Sequence, residues 1–396
     1  MDFSSPNLVR ITCAPGLPPY VEQEVAALGH PVARVDRTGV ETECTFDEAM
    51  RMNLHLRTAF AVLYSLRAFR CDGPDDLYRA TKDIAWESIL PPDGYVSVVS
   101  AVEHETIRNT MFANVRVKDG IVDRMTERVG QRPDSGADRT AGAVVHLHWR
   151  GSHARLALDL SGRKLSDRGY RRIPHVAPLQ ETLAAAIIEA TGYDGSVPLV
   201  LPMAGSGTLA IEAALVARGR APGLLRTAFA GMHLLPFDAE SWAAARREAL
   251  RARRKQAPAP IIVSDLDPKA IDAARRNAHT AGVEHDIELH VCDFAATPMP
   301  DGPGILVVNP EYGKRLGDKT ELEATYARLG DFFKQRCAGY TAYIFTGALD
   351  LAKKVGLRTK RRLTFFNADL ECRLLEYELY AGTRRGQPSA TSEEPT

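Results

Sequence analysis

Residues 198–217 read PLVLPMAGSGTLAIEAALVA. A short apolar run passes through Gly205-Ser206-Gly207 and continues, from Thr208, into ten residues of helix-forming composition. A buried strand that turns on glycines directly into a helix is the opening unit of a doubly wound α/β sheet. Glycine lets the chain turn sharply and lets a ligand come close to the backbone. The free N–H groups at the helix start favour polar or anionic groups. Gly205, Ser206, Gly207 and Thr208 are therefore candidate binding residues.

Downstream, short Val/Ile/Leu runs alternate with Ala-rich helical stretches, as in a parallel sheet covered on both faces. A dinucleotide-binding loop would place a third glycine at position 210, where this chain has Ala210. The second strand, IIVSD, ends at Asp265 after an Arg/Ala-rich insertion (219–258). An acid at that carboxyl end can accept hydrogen bonds from ribose hydroxyls, with Leu266 beside it. Asp267-Pro268 reads as the N-cap and first residue of the next helix. The third strand, IELHVCD, ends at Asp293. That carboxylate could accept from an adenine amino group while Phe294 packs beside the ring. The fourth, GILVVNPEYGKRLGD, brings Asn309 and the Pro310 carbonyl as acceptors, Tyr312 as a stacking ring and Gly313 as a turn. Two acceptors aimed at a planar –NH₂ orient its nitrogen toward a donor methyl.

Composition sets the outer limits. The 396 residues are 45% hydrophobic and 25% charged, enough for two or three domains, and 50 Lys+Arg balance 50 Asp+Glu. That neutrality is uneven. Residues 1–50 hold three basic and eight acidic side chains, whereas Arg163 to Arg172 holds five basic and one acidic. Arg246 to Lys255 holds six and one, and Lys353 to Arg362 six and none. No apolar run approaches the roughly 18 residues of a membrane span, and Met1 to Arg10 lacks a leader pattern, so a cytoplasmic location is expected. The six cysteines form no Cys-x-x-Cys pair, and His146 and His148 lie on a strand without nearby ligands. No metal site is expected.

The first half reads as compact α+β. A strand is expected over Leu8–Cys13, helices over Tyr20–Leu28 and Phe46–Leu66, a helix over Asp75–Ile84, a strand over 95–100 and a helix over Thr110–Arg128. Strands AVVHLHW and ARLALDL close it. The expected division is an N-terminal ferredoxin-like segment (1–45), a second α+β unit (46–160), a basic linker (161–178), a catalytic α/β unit (179–382) and a disordered tail (383–396). In the linker, Arg163, Lys164, Arg168, Arg171 and Arg172 are candidate RNA-binding residues.

The glycine loop, the acids after strands two and three, and Asn-Pro-x-Tyr after strand four resemble class I S-adenosylmethionine-dependent methyltransferases of the amino-methylating branch. The blocks FANVRVKDGIVDRM, LDLSGRKLSDRGYRR, APLQETLAAAII and SDLDPKAIDAARRNA are similar to the RlmL-type RNA methyltransferases, which carry an N-terminal THUMP domain. CAPGLPPYVEQEVAALG and NLHLRTAFAVL resemble that family's ferredoxin-like segment, so the likeness runs over residues 8–382.

The resemblance implies a fold of a mostly parallel seven-stranded Rossmann-like sheet with an antiparallel last strand, preceded by an α+β region made of the ferredoxin-like segment (1–45) and a THUMP RNA-binding domain (46–160). It implies S-adenosyl-L-methionine as cofactor and N2-methylation of a guanosine in large-subunit ribosomal RNA, by a monomer acting on RNA or on a ribosomal assembly intermediate. Gly205 and Gly207 would approach the methionine part of the cofactor, Asp265 the ribose and Asp293 the adenine. Asn309 and Pro310 would hold the target amine and Tyr312 would stack on the base.

The chain departs from the family pattern at Leu201, where an Asp is usual, at Ala204, where a Cys is usual, and at Glu311, where a Pro is usual. Two alternatives stay open: a transfer-RNA guanine-N2 methyltransferase, and a non-catalytic RNA-binding or assembly factor with a degenerate methyltransferase half.

Overall fold

A computed structural model describes residues 2–105, 107, 109–173, 179–311 and 319–380. The N-terminal half runs β1 (Asn7–Thr12), α1 (Pro18–Ala27), β2 (Val32–Asp36), β3 (Gly39–Cys44), α2 (Phe46–His55), β4 (Ala61–Arg70), α3 (Pro74–Lys82), β5 (Tyr95–Glu103), α4 (Thr110–Val129), β6 (Asp134–Ser135), β7 (Ala143–Arg150) and β8 (His153–Asp159). These strands form one sheet in the order β2-β3-β1-β4-β8-β7-β5-β6. Its pairs are antiparallel except those of β5 with β6 and β7.

The expected division near residue 45 falls between β3 and α2, at a helix cap. Thr45 Oγ1 accepts from Glu48 N–H and the Glu48 carboxylate accepts from Thr45 N–H. Beyond it, β4 pairs with β1 on one side and β8 on the other, so the two N-terminal segments share a single sheet.

The helix expected over 46–66 stops at His55, and residues 61–66 are strand. The reason lies on another element, α1. The half-buried Glu24 carboxylate takes the N–H groups of Arg57 and Thr58 at 3.0–3.2 Å, which removes two donors that a continuing helix would need. Apolar spacing alone could not separate a long helix from a helix followed by a buried strand.

The second half runs α5 (Glu181–Ala190), β9 (Leu199–Pro202), α6 (Thr208–Ala217), α7 (Ala239–Ala252), β10 (Ile261–Asp265), α8 (Pro268–Ala281), β11 (Ile287–Val291), β12 (Ile305–Val308), α9 (Lys319–Arg336), β13 (Thr341–Thr346), α10 (Leu349–Ala352), β14 (Arg362–Asn367) and β15 (Leu370–Glu378). The sheet order is β11-β10-β9-β12-β13-β15-β14. The first five strands in that order are parallel and β15 is antiparallel to both neighbours. This is the expected doubly wound sheet with an antiparallel last strand. Its order reverses between β9 and β12, and ligands of such sheets bind outside the carboxyl ends at that point.

The insertion between α6 and β10 joins the halves. Gly223 approaches the Asn53 carbonyl so closely that a Cβ there would stand 2.3 Å from it. Asp47 and Arg51 of α2 both bond Ser241 of α7, at 2.9 and 3.1 Å. On the far side Tyr20 stacks on Phe365 of β14 at 5.6 Å. The two halves therefore meet at contacts as close as those within either core.

Candidate active site

The carboxyl edge of the second sheet collects the predicted residues. After β9 the chain enters the left-handed region at Met203 (φ 57°), Gly205 (φ 54°) and Gly207 (φ 81°). A side chain there costs roughly 1–2 kcal/mol, so the backbone of the Met203 turn is strained at the point where a ligand would sit. Gly207 caps α6 and lies against α8: a Cβ on it would meet the Ala274 Cβ at 2.9 Å. Gly205 faces open space, with no described residue within 4 Å of an added Cβ.

Asp265 shapes this loop. Its Oδ2 accepts from Gly205 N–H at 2.9 Å and its Oδ1 from Asp267 N–H at 2.9 Å. Asp267 caps α8 through Lys269 N–H, as expected. Leu266 beside it is 70% exposed, an apolar surface left uncovered at the edge. Ser206 and Thr208 are buried and build the loop. The Ser206 carbonyl accepts from Asn277 Nδ2 at 3.2 Å and Thr208 Oγ1 from Arg171 Nη2 at 3.2 Å.

Asn309 follows β12, which pairs with β9 in the register Ile305↔Leu199 and Leu306↔Val200. Continuing that register sets Asn309 level with Met203. Its Oδ1 is buried and has no hydrogen-bond partner among the described residues. An acceptor so placed costs free energy until something donates to it. Pro310 beside it is buried and Glu311 is exposed. Tyr312 lies outside the described residues.

At Asp293 the surroundings differ from the expectation. Arg328 of α9 donates to both carboxylate oxygens, at 2.8 and 2.9 Å, and lies 4.8 Å over the Phe294 ring. Burial opposes the charge on Asp293, but the Arg328 bonds and charge outweigh it and hold the carboxyl below its usual range. Phe294 is buried against Phe332 and covered by Arg328, so its ring is not a free platform for a base. Arg328 was missed because its relation to Asp293 spans 35 residues and carries no local pattern.

The basic segment before α5 needs the largest correction. Arg168, expected at an RNA surface, is buried. It faces Glu212 of α6 and donates to the carbonyls of Leu165 and Arg57, at 2.6 and 2.5 Å. Arg171 is half-buried between Glu181, Thr208 and the Leu179 carbonyl. For Arg172 the backbone N–H is tied to Asn277 Oδ1 and the side chain is exposed. Arg163 pairs with Asp167, and Lys164 lies 4.7 Å over Phe60. The segment is thus a structural strap, with Asn277 joining residues 172–173 to the glycine loop. A sequence count of charges cannot see that the acid answering Arg168 sits 44 residues away, at Glu212 on α6.

One group of three metal-ligand types occurs among the described residues: His30, Cys44 and Glu48. Glu48 is already the cap partner of Thr45, and burial pushes the Cys44 thiol up to about 12, so it stays protonated. His146 is half-buried on β7, and its partial burial, with neighbouring His148, lowers it to about 4.

Residues 168–376 match the RMKL-like methyltransferase domain, residues 9–63 the RlmL ferredoxin-like domain and residues 73–159 the THUMP domain. The chain is 38% identical over 379 residues to the ribosomal RNA large subunit methyltransferase K/L of Syntrophotalea carbinolica, covering 93% of this chain and 53% of that protein. The K/L protein of Pseudomonas paraeruginosa is 36% identical, at 92% and 52% coverage. The chain thus spans about half the length of these relatives. It covers 96% of the Synechocystis sp. protein slr0064 at 33% identity.

Among solved structures, SMU.472 in complex with SAH superposes with a TM-score of 0.87 at 25% identity, covering 97% of this chain and all of that one. A Listeria monocytogenes protein described as a predicted N6-adenine-specific DNA methylase gives 0.84 at 30% identity, covering 94% and 96%.

Proposed function

The chain belongs to the RlmL-like family of THUMP-containing methyltransferases, and from that premise we propose that it methylates the exocyclic N2 amine of a guanosine in structured RNA. Large-subunit ribosomal RNA is the substrate this reading favours over transfer RNA, free or within an assembling subunit. S-adenosyl-L-methionine is the methyl donor.

The observation that carries the reading is the buried Asn309 Oδ1, unpaired among the described residues, at the edge where the strained Met203 turn and the open face of Gly205 lie. These features fit the donor molecule: an open glycine face for its methionine part and acidic acceptors at Asp265 and Asp293 for its ribose and adenine. Asp293 remains able to accept while paired with Arg328, because each carboxylate oxygen has two lone pairs.

When bound, the cofactor supplies an electrophilic sulfonium methyl. Asn309 Oδ1 and the Pro310 carbonyl each accept one N–H of the amine, which turns the nitrogen toward that methyl. Tyr312 holds the base, taken out of its stack, against the loop. Held by the Gly205 loop, Asp265 and Asp293, the donor would supply its methyl to the amine nitrogen, and the surplus proton would pass to water. No covalent intermediate is needed, and positioning supplies most of the rate.

The Asn-Pro-x-Tyr loop alone would serve an adenine amine equally well. The ferredoxin-like and THUMP matches weigh for RNA. The reading is tested by labelled methyl transfer into ribosomal RNA from cells lacking the protein, followed by mapping of the modified nucleotide. Label in an N2-methylguanosine of the large-subunit RNA is expected. Label confined to DNA or to adenine overturns it.

A further inference from the structure

The insertion that joins the two halves carries the basic run Arg246 to Lys255, which the reaction does not use. Two of its six cations are consumed within the fold. Arg246 donates to the Arg226 carbonyl at 3.1 Å, and Arg254 donates to the carbonyl of Ala217, the last residue of α6, at 2.8 Å. The other four, Arg247, Arg251, Arg253 and Lys255, are exposed, and none forms an ion pair with a described residue. The run's single acid, Glu248, is itself exposed and forms no ion pair with a described residue. Leu250, 41% exposed, lies between Arg247 and Arg251 on the same helix.

More positive charge stands behind this ridge. Arg218 and Arg220 donate to the carbonyls of Gly282 and Ala281 at the end of α8, with Asp286 the one ion-pair partner among the described residues. Burial, and then the charges of Arg253 and Arg218, push the Arg220 guanidinium below its ordinary value. The cations here crowd one another, and an external anion would relieve the repulsion. The place is also informative. The strand after the ridge begins at the amino edge of the sheet, where Leu199 N–H meets the Pro260 carbonyl, whereas Asn309 ends a strand at the carboxyl edge. Four or five strand residues separate the two edges, about 15 Å.

We propose that the outer face of α7 and the turn that follows it bind the phosphodiester backbone of the substrate RNA, at the sheet edge opposite the reacting base. This rests on the RNA reading above. It adds that the RNA must extend around the catalytic half, so a short hairpin holding only the target nucleotide cannot reach both edges.

The test uses the full chain and the variant R247Q/R251Q/R253Q/K255Q, whose positions are all exposed. Each lost phosphate contact removes roughly 0.7–0.9 from the slope of log affinity against log salt. For a large-subunit RNA fragment the variant slope should fall by about 3, and Kd at moderate salt should rise more than tenfold. S-adenosylmethionine binding, thermal unfolding and affinity for a short target hairpin should stay unchanged. An unchanged slope and Kd overturn the proposal, as does an unchanged RNA slope with loss of an acidic protein partner. Wild-type protein with no salt-dependent RNA affinity would refute the RNA reading itself, a distinguishable result.

Discussion

Arg168 and Glu212 face each other with both side chains withdrawn from water, Nε to Oε1 and Nη2 to Oε2 each at 3.4 Å. The pair fastens the strap before α5 to the helix that begins at the glycine loop. Tyr170 donates to the same carboxylate at 3.0 Å. Removing the arginine leaves a buried, uncompensated carboxylate and two bare carbonyls. Arg168→Ala should therefore cost about 3–5 kcal/mol in denaturant unfolding. Arg172→Gln, at an exposed side chain, should cost less than about 0.5 kcal/mol. Equal stability of the two variants would contradict the buried placement.

Asn309→Ala removes an acceptor placed for the reaction and, without substrate, unpaired among the described residues. Turnover should fall by roughly 10²–10³, the loss usual for one preorganised polar group at a reacting centre. Cofactor affinity from calorimetry should hardly change, and unfolding stability should stay level or rise, since a buried unmet acceptor has gone. A variant that turns over normally removes Asn309 from the reaction. One that loses both stability and cofactor affinity gives it a structural role.

Much of this edge was legible because its parts are local. Gly205, Asp265, Asp293 and Asn309 each lie at, or within three residues past, the end of a strand, and a doubly wound sheet delivers strand ends to one side whatever lies between them. What was not legible depends on pairs remote in sequence. Arg168 looked like a ligand for RNA because Glu212 is 44 residues away. Asp293 looked open because Arg328 is 35 residues on. Phe46–Leu66 looked like one helix because the carboxylate that ends it, Glu24, belongs to another element.

The two loop glycines should respond differently to alanine. At Gly207 the methyl meets Ala274 at 2.9 Å and the left-handed backbone is strained, so α6 must move off α8. Gly207→Ala should cost about 2–3 kcal/mol of stability, strain and overpacking together. At Gly205 only the backbone strain applies, about 1 kcal/mol, and the added methyl enters open space. Gly205→Ala should thus weaken S-adenosylmethionine binding at least tenfold while the protein stays folded. Unaltered cofactor affinity in that variant would move the ligand away from this loop.

Glu189 of α5 gives a pH signature. Burial, reinforced by the neighbouring Glu24 and opposed by Arg57, pushes its carboxyl up to about 8. Unfolded, it would titrate near the usual 4.5. Between those values the folded chain binds a proton that the unfolded chain has released, so stability must fall as pH rises through the window. Asp159, raised by burial to about 6, acts in the same direction, but only below that pH. His146, lowered to about 4, acts with the opposite sign and is spent by pH 6.5. The interval from pH 6.5 to 8 therefore isolates Glu189 from these two groups. Across it, wild-type unfolding free energy should decline, while Glu189→Gln, neutral throughout, should show a flatter profile and exceed wild type at pH 8. Parallel profiles for the two proteins would mean that Glu189 ionises normally and is solvated.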